Sequence, residues 1–284
     1  MSSLKAKAYA KVNLFLEVTG KREDGYHLLD TVMQSVSLYD EVSVTLTKDN
    51  DVVVLCDNQS LSGKDNIVYK ACEEFFKYSG WQSGLLINIK KNIPIAAGTG
   101  GGSADAATVL NILNKLSGKN YTDEVLSGIA LKLGADVPFC IKGGTARALG
   151  IGEELLPLKT PKLYLAMLKH GIKKSTKEMY QKIDEAENSQ ILTSDNIIKA
   201  INENNFNEVY KNIYNAFEVC WDFDTFIEIF NGYPYKAIFL SGSGPTVCAL
   251  FDNEQDAKTT VEDLKHRGFE ANFASLIDKG FEIE

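Results

Sequence analysis

The sequence lacks the features that mark disulfide-stapled, zinc-binding and membrane-spanning proteins. Its five cysteines are odd in number and scattered, with no C-x-x-C pair, which argues against a disulfide framework and favours a reducing compartment. Its three histidines are dispersed and no HExxH spacing occurs, so a structural zinc site is not expected. No apolar run approaches the roughly 20 residues of a membrane span, and the N-terminus has no apolar signal core. We therefore expect a cytoplasmic protein that does not contact a membrane.

Basic residues are too few for a general nucleic-acid-binding surface. Lys and Arg total 30 against 38 Asp and Glu, which gives a formal net charge of -8. This balance repels a nucleic-acid duplex unless the basic groups are segregated on one face. We expect no nucleic-acid partner, and we expect any anionic substrate to be held by backbone N–H groups and a few placed cations. The 284 residues are 44% hydrophobic and long enough for two domains, each with its own core.

Hydrophobic periodicity predicts a strand-rich first half that turns helical, and a second half of mixed strands and helices. Alternation over residues 11–18 predicts a strand with one buried face, with Lys11 and Asn13 on its more polar face. Asp65 is the predicted cap of the next helix, and residues 135–139 are expected to break regular structure. Further strands are predicted over 42–47, 52–56, 85–89, 163–168, 237–240, 247–251 and 269–276, and further helices over 104–116, 122–134, parts of 194–230, and a segment ending at 268. The second-half order suggests a split β-α-β unit.

A glycine-rich segment, Gly98-Thr99-Gly100-Gly101-Gly102-Ser103, directly precedes a predicted helix. Glycines let backbone N–H groups turn toward a ligand, and the helix N-terminus adds positive potential, so phosphate is the natural guest. The alternative is a turn that only packs a strand against a helix. The segment is not a Walker A loop, which requires Gly-Lys followed by Ser or Thr. It is not a dinucleotide fingerprint either, because that motif needs glycine where Ser103 stands. No G-x-S-x-G nucleophile elbow occurs in the sequence.

Three other segments carry candidate functional groups. Asp136 follows a helix stop and is stiffened by Pro138, so its carboxylate could accept a hydroxyl proton; an isolated aspartate there is more often a turn or cap residue. A lysine such as Lys11 beside it would keep the carboxylate ionised. Tyr26 and His27 offer rings for stacking on a flat heterocycle, or form an ordinary rim. The turn over residues 241–245 is either a tight connection or a second phosphate contact.

Together these segments resemble the GHMP kinase superfamily. The resemblance rests on the loop over 94–106, the Gly134-Ala135-Asp136-Val137-Pro138-Phe139 segment and Ser241-Gly242-Ser243-Gly244. Within the superfamily, Ala10-Lys11-Val12-Asn13-Leu14, Arg22-Glu23-Asp24-Gly25-Tyr26-His27 and Thr31 resemble the family of 4-diphosphocytidyl-2-C-methyl-D-erythritol kinases. This resemblance covers nearly the whole chain.

The resemblance implies an α+β fold of two domains. Residues 1–158 would form an N-terminal ATP-binding half like ribosomal protein S5 domain 2, and residues 159–284 a ferredoxin-like C-terminal half, with the active site between them. It also implies transfer of the ATP γ-phosphate, with Mg²⁺, to the 2-hydroxyl of the methylerythritol moiety in non-mevalonate isoprenoid synthesis. The partner would be a small molecule bearing a cytidine diphosphate group, and the chain a monomer or weak homodimer.

The resemblance assigns roles to individual residues. Asp136 would be the catalytic base and Lys11 its electrostatic partner. ATP would be held by the phosphate loop and by an adenine-side group, namely Gly98, Thr99, Gly100, Gly101, Gly102, Ser103, Pro94, Asn66, Ile67 and Lys91. Substrate would contact Asn13, Tyr26, His27, Thr176, Gly242 and, as an opposing ring for cytosine, Tyr180. Ser103 is the expected Mg²⁺ ligand.

The phosphate loop departs from the family pattern at three positions. Thr99 stands where the family commonly has Leu, and Ala104 where it has a second Ser. Asp105 adds a negative charge in the first helical turn, which suits the helix dipole but is expected to compete with phosphate. The alternatives to this reading are another GHMP small-molecule kinase, acting on mevalonate, homoserine or a sugar, and a catalytically silent nucleotide-binding protein.

Overall fold

The structure is a computed structural model that describes residues 2–172, 175–185 and 192–284. Within these ranges the strands are β1 (Ser3–Lys21), β2 (His27–Thr47), β3 (Val52–Cys56), β4 (Gly84–Lys90), β5 (Thr145–Leu149), β6 (Glu154–Leu158), β7 (Tyr164–Lys169), β8 (Tyr214–Asn215), β9 (Ala237–Leu240), β10 (Thr246–Phe251), β11 (Glu270–Ser275) and β12 (Phe281–Ile283). The α-helices are α1 (Ile67–Ser79), α2 (Gly101–Ser117), α3 (Asp123–Ala130), α4 (Val137–Lys142), α5 (Thr176–Glu185), α6 (Asp195–Asn202), α7 (Phe206–Lys211), α8 (Phe223–Ile229) and α9 (Glu254–His266).

The first sheet carries the N-terminal half. Its main strand order is β12-β1-β2-β4-β3, with β5 and β6 extending from β2 and the short β8 pairing with β1. The long β1 and β2 are antiparallel, and register shifts fall between Tyr9 and Lys11 and between Asn13 and Phe15. Helices α1 and α2 bury their apolar faces against this sheet, where Phe75, Ile87 and Leu110 are fully buried.

The second sheet has the order β11-β7-β10-β9, and each neighbouring pair is antiparallel. In chain order these are its fourth, first, third and second strands, which is the ferredoxin-like arrangement. The predicted split β-α-β unit and the predicted α+β fold of two halves are therefore confirmed. Its core lies between the sheet and helices α8 and α9, where Phe230, Phe251 and Leu264 are fully buried.

The two halves are joined by more than the link between β6 and β7. Strand β8 pairs in parallel with β1 through Phe15 and Leu16, and β12 returns to pair with the other end of β1. The C-terminal part of the chain thus contributes two strands to the first sheet. The boundary at residue 158 stays a prediction, and it falls between β6 and β7.

Four local predictions were wrong. Residues 10–17 are buried on both faces of β1, because Val12 and Leu14 pack against residues of the second half while the turns at Thr99 and Gly242 cover Lys11 and Asn13. Residues 137–142 form the helix α4, since a proline is tolerated in a first helical turn. Helix α2 begins at Gly101, three residues before its predicted start. Asn66, rather than Asp65, caps α1 by accepting a hydrogen bond from the Val68 N–H at 2.8 Å.

None of the helices in the described ranges combines the length and apolar character needed to cross a lipid bilayer.

Candidate active site

The glycine segment forms a tight turn at the start of α2. Gly100 is the N-cap residue, with a φ of 71° that favours glycine. A Cβ on Gly98 would lie 2.2 Å from the Ser241 carbonyl oxygen, and a Cβ on Gly100 would lie 2.9 Å from the Lys11 Cγ. The glycines are therefore required because other chain segments approach the turn on two sides. The first residues of α2, Gly101 to Ser103, line a cavity, and the N–H groups of a first helical turn have no partner within the helix.

Lys11 and Asn13 lie together under this turn, as their shared face of β1 predicts. The Lys11 side chain is buried, and its Nζ donates to Asn13 Oδ1 at 2.9 Å. The Lys11 backbone N–H donates to the Thr99 carbonyl at 3.0 Å, which fastens the glycine turn to β1. Asn13 Nδ2 in turn donates to Thr31 Oγ1 at 2.9 Å.

Asp136 reaches the same place from the N-terminal end of α4. Its Oδ2 lies 3.3 Å from Lys11 Nζ, and its side chain is 37% exposed. The helix behind it is anchored by Val137, Pro138 and Phe139, all buried. An exposed carboxylate is thus carried on a buried support beside a buried ammonium, which suits a fixed proton acceptor at a cleft wall.

The turn over residues 241–245, called the Gly242 turn, closes the cluster from the second half. The Gly242 N–H donates to Asn13 Oδ1 at 3.1 Å, and Ser241 Oγ donates to the Gly98 carbonyl at 3.0 Å. The amide of Asn13 is therefore bound to Lys11, Gly242 and Thr31. Asn13, which is 1% exposed, holds Lys11 from within the protein.

A cavity of about 550 Å³ contains the turn and the carboxylate. Its wall brings together many of the residues predicted to bind ATP, to contact the acceptor or to catalyse transfer: Lys11, Asn66, Ile67, Lys91, Pro94, Gly98, Thr99, Gly100, Gly101, Gly102, Ser103, Asp136, Thr176 and Gly242. The predicted phosphate loop, base and adenine-side residues therefore face one space. The Asn66 side chain is occupied in capping α1 and in donating to the Leu61 carbonyl at 2.7 Å, so its backbone is what remains for a ligand.

Lys91 lies in a buried charge cluster beneath the first turn of α2. Its ammonium contacts the Asp40 carboxylate and lies 2.6 Å from Asp105 Oδ2. Burial opposes the charge on Lys91, but Asp105 and Asp40 outweigh it and raise the pKa of the ammonium. Burial likewise raises the pKa of the Asp105 carboxyl. The expectation that Asp105 competes with phosphate stays a prediction; in the structure Asp105 is buried and its carboxylate contacts Lys91.

A second cavity, of about 640 Å³, adjoins the first. It is lined by Tyr26, His27 and Tyr180. Ala135 also lines this second cavity, and its chain neighbour Asp136 lines the first. Burial, and after it the charge of Asp136, raise the pKa of the Tyr180 phenol to about 12. The two neighbouring cavities, one lined by Asp136 and the other by Ala135, are together called the cleft.

The predicted aromatic residues are present in the second cavity, in an unexpected arrangement. The His27 and Tyr180 rings stack on each other, 4.1 Å between centroids and 7° from parallel, so no flat ligand fits between them. Tyr26 is 60% exposed. A base in this cavity would therefore stack on the outer surface of the His27 and Tyr180 pair or against Tyr26.

Several contributors to the site were missed by sequence reasoning. Asp184 accepts from His27 Nε2 and from Lys21 Nζ, each at 2.9 Å, and so fixes the His27 ring. Asp40 accepts from the backbone N–H groups of Asn92 and Ile93 while it contacts Lys91. These residues lie far from their partners in the chain, and no local pattern marks them.

Comparisons with known proteins agree with this geometry. The chain matches the model of the GHMP kinases N terminal domain over residues 66–144 and that of the GHMP kinases C terminal domain over residues 197–270. It is 42% identical over 269 residues to a 4-diphosphocytidyl-2-C-methyl-D-erythritol kinase of Clostridium perfringens, covering 92% of this chain and 93% of the relative. It is 39% identical to the kinase of the same name from Thermoanaerobacter pseudethanolicus, covering 100% and 99% of the two chains.

Solved structures give the same result. A crystal structure of 4-(cytidine 5'-diphospho)-2C-methyl-D-erythritol kinase superposes with a TM-score of 0.79 at 29% identity, covering 96% of this chain and 98% of that one. A homoserine kinase from Cytophaga hutchinsonii superposes with a TM-score of 0.77 at 18% identity, covering 100% and 98%, and this second likeness shows the fold alone.

Proposed function

The chain belongs to the 4-diphosphocytidyl-2-C-methyl-D-erythritol kinase family of the GHMP kinases, and we propose that its own residues carry out that family's reaction in the cleft around Asp136. The reaction moves the γ-phosphoryl group of ATP to the 2-hydroxyl of 4-diphosphocytidyl-2-C-methyl-D-erythritol. The observation that carries the assignment of residues is the shared cavity. The glycine turn, the Lys11 ammonium and the Asp136 carboxylate all line it, with Lys11 and Asp136 3.3 Å apart.

Asp136 is the proposed proton acceptor. The acceptor alcohol oxygen forms a new bond to the γ-phosphorus, the bond from that phosphorus to the β,γ-bridging oxygen breaks, and ADP leaves with that electron pair. The alcohol proton passes to the Asp136 carboxylate. Phosphoryl transfer depends mainly on positioning and on charge stabilisation, so a carboxylate fixed on a buried helix suits this role.

Lys11 is proposed to orient the Asp136 carboxylate and to offset phosphate charge. Its ammonium is buried and fixed by Asn13 and Asp136, so it costs no rearrangement during the reaction. A positive charge in this position is needed because the chain as a whole carries a formal net charge of -8.

ATP phosphates are proposed to lie on the first N–H groups of α2 and on the glycine turn, with adenine beside Asn66 and Ile67. Mg²⁺ usually keeps several waters and takes its other ligands from substrate phosphates and one or two protein oxygens. The described residues contain no cluster of three or more His, Cys, Asp or Glu that could hold a metal by themselves. The Ser103 hydroxyl, in the first turn of α2, fits an ion held mainly by ATP, and such an ion would neutralise the transferring phosphoryl oxygens.

The cytidine diphosphate group of the acceptor is proposed to occupy the second cavity. Tyr26, His27 and Tyr180 provide aromatic surfaces there, and Thr176 lies on the wall of the first cavity, near where the acceptor's phosphates would pass. Homoserine and mevalonate are too small to need this second space. The presence of the second cavity beside the first thus supports the cytidyl acceptor over the alternative small-molecule acceptors. Monomer or weak homodimer remains the expected oligomeric state.

A panel of acceptors tests the proposal. ADP release is followed with ATP, Mg²⁺ and, in turn, the cytidyl compound, mevalonate, homoserine and galactose. Of the four acceptors, we expect only the cytidyl compound to be turned over. ³¹P NMR of the product should show a new phosphomonoester at the 2-position. Turnover with mevalonate but not with the cytidyl compound would overturn the substrate assignment, and ATP binding in calorimetry with no turnover on any acceptor would indicate a silent nucleotide-binding protein.

A further inference from the structure

Asn215, at the end of β8, binds the backbone of the Gly242 turn. Its Nδ2 donates to the Leu240 carbonyl at 2.7 Å and to the Gly242 carbonyl at 2.9 Å. Its Oδ1 accepts from the Phe217 N–H at 2.9 Å, which fixes the orientation of the amide. Asn215 is 1% exposed, so these bonds do not compete with water.

Glu218, three residues after Asn215, binds Leu240, the last residue of β9 and the one that precedes this turn. Its Oε1 accepts from the Leu240 N–H at 3.1 Å. The carbonyl and the N–H of Leu240 are therefore both bound by the segment that carries Asn215 and Glu218. Burial raises the pKa of Glu218 to about 7, and its oxygen accepts this hydrogen bond in either protonation state.

The Gly242 turn connects Asn215 and Glu218 to the catalytic groups Lys11 and Asp136 through hydrogen bonds. The Gly242 N–H bonds to Asn13 Oδ1, and Lys11 Nζ bonds to the same oxygen. Lys11 Nζ then contacts Asp136 at 3.3 Å. A displacement of the turn would move Asn13 and the Lys11 ammonium, while the substrate cavities themselves contain neither Asn215 nor Glu218 among their lining residues.

We propose that Asn215 and Glu218 are positioning residues of the phosphotransfer site, which hold the Gly242 turn so that Asn13 keeps the Lys11 ammonium against Asp136. The proposal rests on the function proposed above and extends it to residues that touch no substrate. Because they act through Lys11, their loss should lower the rate of transfer more than it weakens substrate binding. An effect of about 10²-fold on kcat is typical for a small misplacement of catalytic groups.

The first test replaces the donating amide with a carboxylate of the same shape. Asn215→Asp puts an oxygen against the Leu240 and Gly242 carbonyls, and we expect kcat to fall about 10²-fold with the KM values for ATP and the acceptor within about 3-fold of wild type. Asn212→Asp is the matched control. Asn212, three residues before Asn215, also donates through Nδ2 to a backbone carbonyl, that of Glu208 at 2.8 Å, which lies outside the turn. It should retain the wild-type kcat.

The second test separates positioning from folding. Glu218→Gln keeps an oxygen that accepts from Leu240, and Glu218→Ala removes it. We expect the Gln variant to stay within about 3-fold of the wild-type kcat and the Ala variant to lose at least about 10-fold, with circular dichroism and the melting curve reporting that both are folded. This pair decides the question if Asn215→Asp does not fold.

Equal kcat values for Asn215→Asp and Asn212→Asp would overturn the proposal, as would equal values for Glu218→Gln and Glu218→Ala. So would a loss confined to KM. An inactive wild-type chain would instead contradict the proposed function. The positioning role would then be judged from the NMR chemical shift of the Lys11 ammonium, which must change in Asn215→Asp and not in Asn212→Asp.

Discussion

The two ends of the cleft are built differently. At the phosphate end, Lys11 and Asn13 are buried and bound to groups from four separate segments, and the glycine turn is packed so closely that a Cβ on Gly98 would clash. At the base end, where the nucleobase of the acceptor is proposed to bind, Tyr26 is mostly exposed, while the His27 side chain is only 9% exposed and is stacked on Tyr180. On the proposed function, the reacting groups are therefore held in fixed geometry, while Tyr26 offers the nucleobase of the acceptor a ring at the surface.

This difference follows from what each end has to do. Phosphoryl transfer depends on charged groups fixed to within about 0.5 Å, and buried hydrogen bonds supply that precision. A stacking surface tolerates small movements, because rings interact over a range of centroid distances. Substitutions at the phosphate end should therefore change kcat or stability strongly, and those at the base end should change KM moderately.

The largest effect is expected from removing the buried ammonium. Lys11→Met keeps the length and apolar stem of the side chain but leaves Asn13 and Asp136 without their cation. We expect kcat to fall about 10²- to 10³-fold, with the ATP dissociation constant less affected, measured by steady-state kinetics and calorimetry. Lys7→Met, on the same strand but paired with Glu284 at the surface, should stay near wild type. A loss of similar size in both variants would mean that the effect comes from the strand and not from the cleft.

The next effect concerns the close packing of the glycine turn. Gly98 and Gly118 both have positive φ, but only a Cβ on Gly98 meets other atoms within 4 Å. Gly118→Ala should cost about 1 kcal/mol in the free energy of unfolding from backbone strain alone, and Gly98→Ala at least about 3 kcal/mol. Urea unfolding measures both. Equal costs would show that the Gly98 turn can yield, and the contrast between the two ends would weaken.

A moderate effect is expected from the stacked ring at the base end. Tyr180→Ala removes the partner of the His27 ring, and we expect the KM for the cytidyl acceptor to rise about 3- to 10-fold while the KM for ATP and kcat stay within about 2-fold. Tyr180→Phe keeps the ring and should behave like wild type. A larger loss in kcat than in KM would place Tyr180 with the catalytic groups instead.

The smallest effect is expected from the surface ion pairs of Asp184. The Lys21 ammonium first, and the His27 ring with it, hold the pKa of Asp184 below its ordinary value. A lowered pKa in the folded state gives stability that is present above the unfolded-state pKa and lost as the pH falls through the folded-state pKa. Asp184→Asn should therefore destabilise the protein at neutral pH by no more than about 1 kcal/mol. Melting curves taken from pH 7 to pH 3 should show the difference from wild type closing at the acidic end, and a constant difference would exclude a charge effect.

The parts of the site that the sequence predicts are those made of contiguous residues. The glycine turn, Asp136 beside Pro138, and the shared face of Lys11 and Asn13 can each be read from a short segment. Hydrogen bonds across long chain separations cannot, and this is why Gly242 with Asn13, Asn215 with the Gly242 turn, and Asp184 with His27 carry no local signal.

Burial shows the same limit at the level of the fold. Alternation along residues 11–18 predicts one polar face for β1, yet both faces of residues 10–17 are buried, since the second half of the chain packs on the sheet. The helix α4 is six residues long and begins next to a proline, too short for periodicity to reveal it. The strand β12 depends on a pairing with β1 across the full length of the chain.

The most direct test of Asp136 as the proton acceptor is the rate of a single turnover in wild type and in Asp136→Asn, measured beside ATP affinity and thermal unfolding. The substitution keeps the shape of the side chain on a buried helix while removing its capacity to take the proton. We predict a fall of about 10²- to 10⁴-fold in the rate of transfer, with ATP affinity and melting temperature nearly unchanged. A variant that transfers phosphate at the wild-type rate would contradict the assignment of Asp136 as the base.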